Sequence, residues 1–187
     1  MYLLQNWLYG ILRAAKWATP FMTSKWGWPL CETVHFLGLS MLIGTVGMFD
    51  LRLLGMGRRV PLRALHKLIP WGIAGYVATV VTGICFLATE PDQYLFNEAF
   101  HWKILFMSLA GLNVAIFYLG LFRRVKLVPG GEDAQLPAKA VAAFSLFLWI
   151  GVIVFGRMLT FYRPAPCEPG ELTFVLTCIP AMPPTAR

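Results

Sequence analysis

The stretch CETVHFLGLSMLIGTVGMFDLRLLGMG, residues 31–57, decides the fold. Its apolar middle is long enough to cross a bilayer, because about 20 helical residues rising 1.5 Å each span the hydrocarbon core. Both ends carry ionisable groups: Glu32 and His35 at one, Asp50 and Arg52 at the other. Such a group inside a membrane helix is costly without a partner, so it points to a functional site. The reading of the chain then turns on what else reaches the depth of His35.

Composition sets the class. The 187 residues are 58% hydrophobic and 13% charged, with a mean hydropathy of +0.64, whereas about a quarter of an ordinary soluble domain is charged. A multi-pass membrane protein is expected. A net charge of +7 would suggest nucleic acid in a soluble chain, but the bases here gather in short loops between apolar runs, as membrane orientation alone requires. Nucleic acid is set aside. No basic segment precedes the first apolar stretch and no small-residue cleavage site follows it, so a secretory leader is not predicted.

Working outward, four spans are read at residues 31–56, 65–89, 100–122 and 138–162, an all-α four-helix transmembrane bundle occupying 31–162. Before it, residues 1–30 hold YLLQNWLYGILRAAKW, whose Gln5, Asn6, Gly10, Arg13 and Lys16 share one arc of a helical wheel while Leu4, Trp7, Leu8, Ile11 and Leu12 fill the other. That pattern predicts an interfacial amphipathic helix, or a helix packed on a partner subunit. Thr19-Pro20 should end it, and Trp26-Gly27-Trp28-Pro29 should form an aromatic belt ahead of the first span. Arg52, Arg58, Arg59, Arg63 and Lys67 surround the first connection and Arg123, Arg124, Lys126 and Lys139 the third, while EPDQYLFNEA between spans two and three has three acids and no base. By the positive-inside rule, both termini face the periplasm of a bacterial inner membrane.

The tail, residues 163–187, is Pro-rich and contains Cys167 and Cys178 on the side where disulfides persist, so a disulfide is expected there. Between them ELTFVLT alternates like a short strand. Cys31 and Cys85 read as ordinary buried thiols.

At the depth of His35 the pattern places His101 and Lys103, which open span three, and Arg157, near the end of span four; Glu32 lies beside them. His66 starts span two at the other end and reads as interfacial. Two histidines on different helices at one depth are what a bis-histidine haem b requires. Gly38, one turn from His35, would make room for the macrocycle, and Arg157 and Lys103 would pair with its propionates. Simpler roles stand beside these. His35 would equally hydrogen-bond a carbonyl or Glu32, and Arg157 would pair with Glu32. The stripe Gly72, Gly75, Tyr76, Thr79, Thr82, Gly83 would serve helix packing or frame a flat ligand.

The runs WPLCETVHFLGLSMLIGTVGMFDLRLLG, IPWGIAGYVATVVTG, YLFNEAFHWKILFMSLAGLN and FGRMLTFY, within residues 26–163, resemble a family of bacterial four-helix inner-membrane proteins. In layout these are similar to copper-resistance D proteins and to b-type cytochrome membrane subunits. The resemblance implies four spans, a His in the first span at His35 and a Lys at the start of the third at Lys103, and it names no activity. It does not reach His101, which leaves Lys103 as the alternative second axial ligand.

The leading expectation is a haem b electron-transfer subunit between a periplasmic redox partner and the quinone pool or a larger membrane complex. A cofactor-free accessory subunit is the first alternative. A copper-handling protein is the second, with Cys31, Cys85, His35 and nearby Met as soft ligands, although Met41, Met48 and Met56 follow no repeated Met-x-x-Met spacing. A stand-alone enzyme is the least supported class: no HExxH, phosphate loop or nucleophile–base spacing is present.

Overall fold

The computed structural model describes residues 2–14, 19–125, 128, 131–167 and 177–179. Four helices are long and apolar enough to cross a membrane: Gly27–Leu53, Leu62–Thr89, Glu98–Leu121 and Leu136–Met158. In chain order the elements are α1 (Tyr2–Ala14), α2 (Thr19–Met22), α3 (Gly27–Leu53), α4 (Leu62–His66), α5 (Ile69–Thr89), α6 (Pro91–Leu95), α7 (Glu98–Ile116), α8 (Phe122–Val125) and α9 (Leu136–Met158). A π-helical turn, Phe117–Leu121, joins α7 to α8.

The first span starts earlier than the aromatic belt suggested. Gly27, Trp28 and Pro29 form the first turn of α3, where a proline loses no helical hydrogen bond. Gly27 is required there, since a Cβ would lie 1.8 Å from the Phe21 carbonyl oxygen. Thr19-Pro20, expected as a stop, instead opens the short helix α2.

α3 packs closely on α5, α7 on α9, and the two pairs meet where α3 lies against α9. Small residues permit these approaches, as membrane bundles require when lipid is as apolar as the helices themselves. Gly38 and Gly75 face each other across the α3–α5 seam, and the Phe106 ring of α7 lies against Gly151 of α9. α5 and α7 scarcely meet, which leaves a groove between them. The outward faces are apolar: Leu37, Trp71 and Phe147 are exposed, and Leu119 is 89% exposed. Surface of this kind is stable against lipid rather than water.

Polar contacts close both ends. At one, buried Arg52 donates from Nε to the Val60 carbonyl at 2.7 Å and from Nη2 to the Glu132 carbonyl at 3.1 Å, tying two connections together. Nearby, Asp133 meets Lys139 at 2.8 Å and Arg58 at 3.0 Å. The Lys139 hydrogen bond is the main reason that its carboxyl sits below the usual range. His66 lies against Phe122 at this end, the rings tilted and 4.7 Å apart between centroids.

At the other end α1 lies across α6. Part of its polar arc meets protein: Gln5 donates to the Leu95 carbonyl at 2.6 Å and Arg13 pairs with Asp92 at 3.3 Å, and beside them the Tyr9 hydroxyl donates to Asp92. Leu4, Trp7 and Ile11 stay exposed. α1 is therefore fastened to the bundle through the acidic connection. Cys167 and Cys178 are joined by a disulfide, and Cys178 packs with Tyr9, Leu95 and Phe96. The strand expected at 171–177 lies, apart from Thr177, outside the described residues. Pro166 and Ile179 form an isolated parallel bridge beside the disulfide.

Candidate functional site

His35 lies on the face of α3 turned to α5, beside Phe86 at 5.6 Å between ring centroids. Its Nδ1 is 2.8 Å from Thr82 Oγ1. A threonine hydroxyl has one proton, and Thr82 gives it to a carbonyl of its own helix, Ala78 at 2.8 Å or Thr79 at 3.1 Å. Toward His35 its oxygen therefore accepts, which puts the imidazole proton on Nδ1 and the free lone pair on Nε2. The ring also has a hydrogen bond with the backbone of Thr79.

Lys103 enters from α7, close enough for its charge to act on His35. A Cβ placed on Gly156 of α9 would lie 3.7 Å from Lys103 Nζ, and one on Gly83 of α5 would lie 3.7 Å from His35 Cε1 and meet nothing else within 4 Å. Each of the four spans thus contributes to one locus, and two contribute only the absence of a side chain. Lys103 makes no ion pair among the described residues.

Three expected members are engaged elsewhere. His101 Nε2 is 2.8 Å from the Leu95 carbonyl, so the ring braces the start of α7 against the preceding turn rather than facing His35. Gly38 gives no room to a macrocycle, because a Cβ there would stand 2.7 Å from the Gly75 carbonyl oxygen; that space is filled by α5. Arg157 is exposed and lies over the Phe161 ring, 5.4 Å from its centroid. No ion pair among the described residues joins it to Glu32.

Cys31 lies against Cys85, close enough for a thiol–thiol contact, and both are free. Among the described residues no three His, Cys, Asp or Glu side chains converge as a metal cage.

The sequence reading missed Thr82 as the partner of His35, although Thr82 stood in the stripe assigned to the bundle-facing side of span two. Gly83 stood in the same stripe, read as packing or as room for a flat ligand, whereas Gly156, beside Lys103, was missed. Comparison with protein-family models, curated proteins and solved structures gives no match, so the family resemblance rests on the quoted residues alone.

Proposed function

We propose that the chain is a multi-pass subunit of a bacterial inner membrane that holds a b-type haem on His35 and passes single electrons between redox partners. The observation that carries this reading is the orientation of His35. A ligating histidine commonly gives its other N–H to a second group that fixes the ring, and Thr82 is that group here. Gly83 presents no side chain to His35 Cε1, and Gly156 none to Lys103 Nζ. His35 and Lys103 would hold the haem iron, and the exposed Arg157 guanidinium would give a charge-assisted contact to a propionate. Haem, when bound, provides the one-electron couple; the bis-histidine scheme is given up because His101 is held by Leu95.

The positive-inside rule supports a cytoplasmic Arg52 end and periplasmic termini, with the Cys167–Cys178 loop outside. α1 suits the outer interface, its exposed Leu4, Trp7 and Ile11 meeting lipid while its polar arc grips α6. Copper handling has one observation in its favour, the adjacent Cys31 and Cys85, since two thiols suit Cu(I).

The test is the dithionite-reduced minus oxidised spectrum of the purified full-length protein, before and after incubation with hemin. A b-type Soret and α band supports the reading. Full-length protein with no Soret band and no hemin uptake overturns it, and stoichiometric Cu(I) binding in that protein would install the copper reading.

A further inference from the structure

The groove between α5 and α7 deepens, in the half of the bundle nearest Arg52, into a cavity of about 350 Å³. Its walls are apolar, with Leu42, Phe49, Ile73, Met107, Val114 and Phe117 facing inward. α3 and α9 add polar groups, among them Asp50, Ser145 and Trp149. Asp50 is 6% exposed and Trp149 8% exposed. The Asp50 carboxyl has a hydrogen bond with Ser145, but its Oδ2 and Trp149 Nε1 have no hydrogen-bond partner among the described residues. Asn113, by contrast, is engaged, donating to the Val141 carbonyl at 3.2 Å.

A buried donor or acceptor left unpaired is costly, so two lining one void need an explanation. Water is a poor one. The cavity has room for about ten molecules, each needing two to four polar partners that the apolar walls do not provide. An acyl chain would fill the volume and leave both polar atoms unpaired. The π-helical turn beginning at Phe117 borders the same cavity, and such turns inside helices recur at functional sites.

The occupant these features fit is a flat, membrane-soluble ring with oxygen at opposite edges, one to accept from Trp149 Nε1–H and one to meet the Asp50 carboxyl. We propose that this cavity binds the ring of a lipid-soluble quinone or quinol, entering from the bilayer between α5 and α7. A volume of about 350 Å³ lies in the ordinary range of small-molecule sites, and the groove gives an isoprenoid tail an exit to lipid. The proposal complements the electron-transfer reading and does not rest on it, since the cavity uses neither His35 nor Lys103.

The experiment uses the full-length protein in lipid nanodiscs with a decyl-tailed benzoquinone as titrant and its azido derivative as photolabel. Saturable binding, with label on peptides from residues 69–89 and 107–118, is expected. Gly111 lines the cavity and a Cβ there meets nothing within 4 Å, so Gly111→Leu should fold normally and weaken binding at least about tenfold by filling the void. Trp149→Phe should weaken it about fivefold, the worth of one hydrogen bond. Label spread evenly over the lipid-facing helices, or undiminished binding by a folded Gly111→Leu protein, would overturn the proposal. So would equal competition from a decyl alkane, which would make the cavity a lipid slot. Loss of the haem spectrum with quinone binding intact would remove the haem reading alone.

Discussion

Replacing Gly38 by Ala separates a packing glycine from one that clears space for a cofactor. The added Cβ would stand 2.7 Å from the Gly75 carbonyl oxygen, 2.8 Å from Thr79 Oγ1 and 3.3 Å from Ala78 Cβ. Carbon–oxygen contacts between helices settle at about 3.3–3.6 Å, so α5 must withdraw by roughly 0.5–1 Å. A gap of that size forfeits about a quarter to a half of each van der Waals contact along the seam. Overpacking of this kind costs about 1–3 kcal/mol. Gly44 and Gly47 of the same helix provide the control, since a Cβ at either meets nothing within 4 Å. There the change to Ala should be neutral or stabilising by up to about 1 kcal/mol, because glycine is the poorer helix former. The assay is reversible unfolding in mixed micelles followed by circular dichroism. Gly38→Ala should fall below wild type while Gly44→Ala and Gly47→Ala do not. If all three behave alike, the α3–α5 seam is not as described, and Gly38 returns as a candidate cradle.

Three further outcomes follow from the two ends of the bundle. Arg52→Met strands the Val60 and Glu132 carbonyls and, after the gain from an apolar side chain, should cost about 2–4 kcal/mol in the same assay, with Arg52→Lys intermediate; a loss under about 0.5 kcal/mol would refute the clamp. Burial, and next the hydrogen bond to Asp92, push Tyr9 up to about 12 from an ordinary value of 10.0. Its contribution to docking α1 is therefore complete below pH 10 and lost as the pH rises toward 12. In a tyrosinate absorbance titration, the component missing from Tyr9→Phe should lie near 12, and a missing component near 10 would contradict this. The Cys167–Cys178 disulfide spans 11 residues and is worth about 3 kcal/mol in the chain-entropy picture. Its reduction should make the tail protease-sensitive while far-ultraviolet dichroism holds; collapse of the helical signal would show that the tail does more.

The four spans were legible because apolar length is a local property, readable from any 20-residue window. Their ends were less so. The start of α3 at Gly27 depends on a backbone contact with Phe21, and its close at Leu53 precedes Gly55 and Gly57, which take φ of +103° and +65°. The polar arc of α1 was visible, but periodicity alone does not tell a face turned to headgroups from one turned to Asp92. His35 and Lys103 stood out as ionisable groups inside apolar runs, and the structure brings them to one locus. His101 matched them in depth but not in direction: it lies two residues from Lys103, so helical rotation turns the two side chains to different faces. The cavity could not be read at all, since its walls come from all four long helices and it opens between α5 and α7, which barely touch. Asp50 was noticed only as a charge near a span end; that Trp149, distant in sequence, lines the same void is a tertiary fact.

The decisive measurement is haem content per chain, by pyridine haemochrome, in wild-type protein and in His35→Ala, Thr82→Val and His101→Ala variants expressed with haem supply. One haem per chain is predicted for wild type and His101→Ala, none for His35→Ala, and a reduced content for Thr82→Val, whose imidazole is no longer held by its Nδ1–H. Full haem retained by His35→Ala, or lost on His101→Ala with the fold intact, would contradict the assignment of His35 as the ligand that builds the site.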